Sequence, residues 1–146
     1  MRPILRSACL VFSLLAAIAN CHGACAEAFA IPFKINESAA RRLAAQGYYG
    51  STSGLEYFDY DSGVSTKFAP PFIVFDGLSK PPAEGFFGVF AVNPWTGDVW
   101  NLWGCHRLST PALRKSQAAI RQRFARGEIK EYARLRLLKS ECVVED

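Results

Sequence analysis

The segment from Phe86 to Trp103 constrains the fold of this 146-residue chain more than any other. Phe86-Phe87-Gly88-Val89-Phe90-Ala91-Val92 is apolar at odd and even positions alike. That is the pattern of a strand covered on both faces, and so of one central in its sheet. Asn93-Pro94-Trp95-Thr96-Gly97-Asp98 follows with turn chemistry: Pro94 presets its own φ, and Gly97 accepts the left-handed conformation. Val99-Trp100-Asn101-Leu102-Trp103 reads as the returning strand, and Gly104 ends it, which sets Cys105 at the exit of the sheet.

Other elements group around this hairpin. Asn36 is a good N-cap, Glu37 sits in the first turn, and Ser38 to Gln46 is rich in helix formers, with Gly47 as the expected stop. The apolar stripe of this helix (Ala40, Leu43, Ala44) is narrow, which suits a helix lying on a sheet. Leu55 to Tyr60 has strand composition, Asp61-Ser62-Gly63 a turn, and Val64 to Phe68 a returning strand. After Pro70-Pro71 comes a further strand, Phe72 to Phe75, and Ser79 to Gly85 is a loop. Thr110-Pro111 opens a second helix, with Leu113, Gln117, Ile120 and Phe124 on one face. Beyond Gly127, Ile129 to Lys139 resumes, with Ile129, Tyr132, Ala133, Leu135 and Leu138 as its apolar set. The order is helix, strands, helices, without β-α-β alternation. It predicts an α+β fold with a mainly antiparallel sheet, an N-terminal helix and C-terminal helices.

The first 26 residues read as a cleaved export leader. Arg2 and Arg6 precede an apolar run from Ala8 to Ala19, and Ala24-Cys25-Ala26 forms an A-x-A cleavage site. Residues 27–146 then form a single domain. The apolar run is too short for a bilayer span of about 20 residues, and no later run is longer, so the mature chain should carry no transmembrane segment. A lipoprotein box at Cys21 is the weaker alternative, because Asn20 stands where a small residue is wanted. Cleavage after Ala26 discards Cys9, Cys21 and Cys25 and leaves Cys105 and Cys142, an even pair that predicts one structural disulfide in a periplasmic or secreted protein. Closing that loop should stabilise by roughly 4 kcal/mol in the chain-entropy picture.

Charge narrows the partners. Without Arg2 and Arg6 the count is 15 Lys+Arg against 13 Asp+Glu. A chain so near neutrality has no electrostatic case for nucleic-acid binding. The charge is uneven, however: Cys105 to Asp146 holds ten Lys or Arg and five acids. Arg114, Arg121 and Arg123 are the candidate docking residues of this basic third, for an acidic partner. Trp95, a large aromatic in a turn, is either packed back on the sheet or a solvent-facing interface anchor.

Catalytic and metal signatures are thin. One histidine, His106, survives leader removal, and beside it stand only the two paired cysteines, so neither a metal nor another cofactor is implied. An oxidised Cys105 offers no thiolate for nucleophilic chemistry. The acidic cluster Glu56, Asp59 and Asp61 is the one arrangement that suggests hydrolysis, since paired carboxylates serve glycoside cleavage.

The stretch Phe90-Ala91-Val92-Asn93-Pro94-Trp95-Thr96-Gly97-Asp98-Val99-Trp100 resembles the hairpin of PepSY-type and related cystatin-like secreted domains. That resemblance implies a small module with a helix against an antiparallel sheet, tied to inhibition or regulation of extracytoplasmic enzymes. The expectation is an exported, non-enzymatic binding protein with a protein partner outside the cytoplasm, in concrete form an inhibitor or immunity-like protein. The alternatives are a small envelope hydrolase using Glu56, Asp59 or Asp61, and a structural or assembly factor.

Overall fold

The first helix, α1 (Glu37–Tyr49), starts at Asn36, whose side chain accepts from the backbone N–H of Ala39 at 2.9 Å. It runs one turn past the expected stop. Gly50, at φ 74°, closes it by donating to the Gln46 carbonyl, while Gly47 lies inside the helix. The glycine at 47 serves closeness: a Cβ there would stand 3.1 Å from Leu108 Cδ1 and 3.4 Å from Val99. The computed structural model describes residues 31–60, 71–79, 82 and 85–142, all within one compact unit, Ile31–Asp146. The leader at 1–26, Asp61 with its turn and the strand expected at Val64 to Phe68 lie outside the described residues.

Among the described residues five strands follow: β1 (Phe58–Tyr60), β2 (Ile73–Leu78), β3 (Phe86–Val92), β4 (Val99–Asn101) and β5 (His106–Arg107). They pair in sequence order, antiparallel throughout, so the fold is α+β and β3 is the central strand. The boundaries differ from the sequence expectation in three places. Leu55–Tyr57 is a 3₁₀ turn entered from Gly54, which shortens β1. β2 continues to Leu78. The return after the hairpin is only three residues long, because Asn101 turns the chain: its side chain accepts from the N–H groups of Trp103 and Gly104 and sends it back as β5.

Alternation along the strands builds two cores. Phe90 packs edge-on to Tyr48 of α1 (ring centroids 5.4 Å apart), with Phe58 at 5.2 Å, so that face of the sheet is covered by α1. The neighbours of Phe90 in sequence, Val89 and Ala91, point the other way and cluster with Phe72, Val74 and Leu102, against which Trp100 and Leu138 pack. This explains why β3 is apolar at every position. The register shifts near Gly77 and Leu78, and Phe87 joins Tyr48 in a stacked pair at 4.6 Å.

The C-terminal helices are α2 (Pro111–Arg121) and α3 (Ile129–Leu135), the latter ending earlier than the expected Lys139. Thr110 caps α2 by accepting from Leu113 N–H, and donates its own hydroxyl to the Gln46 carbonyl at the end of α1. At the other end Arg123 donates to the Lys34 carbonyl just before α1. The two helices therefore run antiparallel, side by side. Of the apolar set proposed for α3, Tyr132 and Leu135 are buried, whereas Ile129 and Ala133 are exposed. Cys105 and Cys142 form the expected disulfide, Cα atoms 5.4 Å apart, and tie the tail to the end of the sheet. No helix among the described residues is long and apolar enough to cross a membrane.

Candidate functional site

The hairpin turn is locked from within. Asn93 is fully buried and uses both ends of its amide: the oxygen accepts from Trp95 and Thr96 N–H, and the nitrogen donates to the Leu135 carbonyl of α3. Thr96 Oγ1 donates to Asp98, and Gln117 Nε2 of α2 donates to both Asp98 and the Gly97 carbonyl at 3.1 Å. Arg107 pairs with Asp98 Oδ1, and Arg136 stands 3.7 Å from Oδ2. Burial pushes the Asp98 carboxyl above its usual range, against the pull of Arg107, Thr96 and Arg136. Gly97 is required here twice over: its φ is 71°, and a Cβ would stand 2.6 Å from Ile120 Cδ1.

Trp95 is 1 % exposed, so the solvent-facing anchor considered from sequence is instead a packed side chain. Its indole N–H donates to the Ile31 carbonyl at 3.0 Å, and the Pro94 carbonyl beside it accepts from both Lys34 and Ile35 N–H. Together these bonds seat the N-terminal arm on the turn. The exposed aromatic at this place is Phe33, 55 % exposed and edge-on to Trp95 at 4.9 Å.

From this support rises a groove between α1 and α2. Ala39, Arg42, Leu43 and Gln46 of α1 face Ser116, Ala119, Ile120 and, just past the end of α2, Arg123, with Ile35 at the floor. The spacing on both sides is helical, one stripe of each helix. This deeper hollow holds about 190 Å³. It shares Ile35, Ala39, Arg42 and Arg123 with a more open hollow of about 410 Å³ that continues over Phe33, Lys34 and Asn36. The alanines make the groove, since neither Ala39 nor Ala119 reaches across.

Its electrostatics are one-sided. No carboxylate lines either hollow among the described residues. Lys34 is already paired with Glu128 at 3.2 Å. Among the described residues the Arg42 guanidinium donates only to Ser38 Oγ (3.1 Å) and that of Arg123 only to the Lys34 carbonyl (2.9 Å), both neutral acceptors. Neither joins an ion pair among the described residues.

The arginines singled out from sequence are therefore split. Arg123 lines the groove. Arg114 and Arg121, seven residues apart, share the opposite side of α2, where Arg114 donates to Ser109 Oγ and Arg121 lies over the Tyr132 ring at 5.7 Å. Phe33 and Arg42 were missed. The visible signal for Arg42 was the stripe Ala39, Arg42, Leu43, Gln46, which mixes a cation with small and apolar residues on one helix face.

Of the acidic candidates, Glu56 and Asp59 are described, while Asp61 lies outside the described residues. Glu56 is exposed in the 3₁₀ turn and Asp59 is exposed on the edge strand, its Oδ1 accepting from the adjacent Tyr60 N–H. Asp59 faces Asp76 across the β1–β2 ladder, and neither hollow touches Glu56 or Asp59. Compared with protein-family models, curated proteins and solved structures, the chain matches none.

Proposed function

We propose that this chain is an exported, non-enzymatic binding protein that docks an acidic protein partner outside the cytoplasm, in its most concrete form an inhibitor or immunity-like protein for an extracytoplasmic enzyme. The groove between α1 and α2 carries this reading. It pairs two exposed guanidiniums that have no carboxylate partner among the described residues with an apolar floor, and it is held in shape by the locked turn beneath it. A groove so supported is preorganised, which lowers the ordering cost of binding. The resemblance of residues 90–100 to secreted regulatory domains supports the inhibitor form, and the leader with the Cys105–Cys142 pair supports periplasmic or secreted placement.

Two measurements test it. The intact mass of the native protein should lack residues 1–26 and show the deficit of one disulfide; a chain that still begins at its initiator methionine removes the compartment. Tagged mature protein added to envelope extracts should retain one partner stoichiometrically and suppress that partner's activity. Recovery of no stoichiometric partner across several salt and pH conditions contradicts the reading.

A further inference from the structure

Resting on that reading, we propose that the groove between α1 and α2 takes an extended acidic segment of the partner protein, one carboxylate held by Arg42 and Arg123 with an adjoining apolar side chain seated on Ile35, Leu43 and Ile120. The argument starts from what the arginines leave unused. A guanidinium carries five N–H donors in a planar fork, and each of these two gives one bond to a neutral oxygen. Those bonds orient the guanidiniums and leave donors free for bidentate capture of a carboxylate.

The lining then selects among anions. A free phosphate or a nucleic-acid backbone would use the cations and leave the hollow between Ala39 and Ala119 unfilled. A peptide bearing a carboxylate next to an apolar side chain uses both. Size agrees: the deep hollow, about 190 Å³, is below the roughly 300 Å³ at which small-molecule sites begin. It suits a side chain, while the open hollow beside it gives room for the chain that carries one. Phe33, exposed at that end and propped by Trp95, supplies an aromatic surface along the way.

The test uses the oxidised mature protein, isotope-labelled, and a short capped peptide with a glutamate on either side of a leucine. Expected are saturable NMR shifts at Ile35, Ala39, Leu43, Ala119 and Ile120, weakening as salt is raised. Arg42→Gln and Arg123→Gln should each weaken binding about tenfold. Ala119→Leu, which fills the hollow and leaves both arginines in place, should abolish it. Thermal melts confirm that each variant is folded. Equal binding of the glutamine version of the peptide, equal binding of a single-stranded oligonucleotide, shifts centred elsewhere, or no binding at all would overturn the proposal. A native partner that is still captured equally well by Arg42→Gln and Arg123→Gln would overturn the groove while leaving the binding function standing.

Discussion

Asp98 shows how much one side chain can organise. Its carboxylate meets Arg107, Arg136, Thr96 and Gln117, drawn from a turn, a strand, a helix and the tail. Asp98→Ala would strand those groups. The arginines are partly exposed and recover some hydration, which brings the loss down to about 2–4 kcal/mol, measured by urea unfolding. The pH sign follows from the raised carboxyl. A folded state that holds the proton more tightly than the unfolded chain loses stability, relative to it, as pH rises through the window above the ordinary aspartate range. The stability of the wild type relative to Asp98→Asn should therefore fall as pH rises above the ordinary aspartate range. A gap that grows in favour of the wild type over that range would show that the arginines outweigh burial. Gly97→Ala should cost about 1–3 kcal/mol, through its positive φ and the collision with Ile120.

At the scale of elements, the arm from Ile31 to Ile35 is the piece on which the groove depends. It is fixed by Trp95, by the Pro94 carbonyl and by the Lys34–Glu128 pair. The Glu128 carboxylate sits below its usual range because it accepts from Ala125 N–H and from Lys34. Its stabilising contribution is present above the ordinary glutamate range and lost as pH falls through the lowered value, the reverse of Asp98. Wild type and Glu128→Gln should thus differ at neutral pH and converge on acidification, followed by thermal melts. Trp95→Ala should cost about 3–5 kcal/mol and disorder the arm, seen as faster exchange of the Lys34 and Ile35 amides.

Much of this level was legible in the sequence. The central strand, both helix caps and the disulfide are local signals: a run apolar at every position, Asn36, Thr110-Pro111 and an even cysteine pair. What was not legible depends on tertiary contact. Gly47 reads as a helix stop until Leu108 and Val99 are found against it. The arm around Phe33 carries no periodicity at all. Arg42 and Arg123 lie 81 positions apart and line one groove only because α1 and α2 run antiparallel, joined by Thr110 at one end and Arg123 at the other.

For the whole molecule, the sheet separates two cores, and the tail beyond α3 covers part of the second through Leu138 before the disulfide anchors it. Reduction, or Cys105→Ser with Cys142→Ser, should remove about 4 kcal/mol of stability, in line with a sequence separation of 37. The loss should concentrate at the tail and the Phe72–Leu102 cluster and leave α1, α2 and the groove formed, as hydrogen exchange would show. The central claim is that the partner binds between α1 and α2. The most direct measurement is a shift map of the labelled protein with its captured native partner. The account predicts changes concentrated at Ile35, Ala39, Arg42, Ala119 and Arg123. Changes concentrated instead at the exposed Phe86 and Trp103 end of the sheet would contradict it.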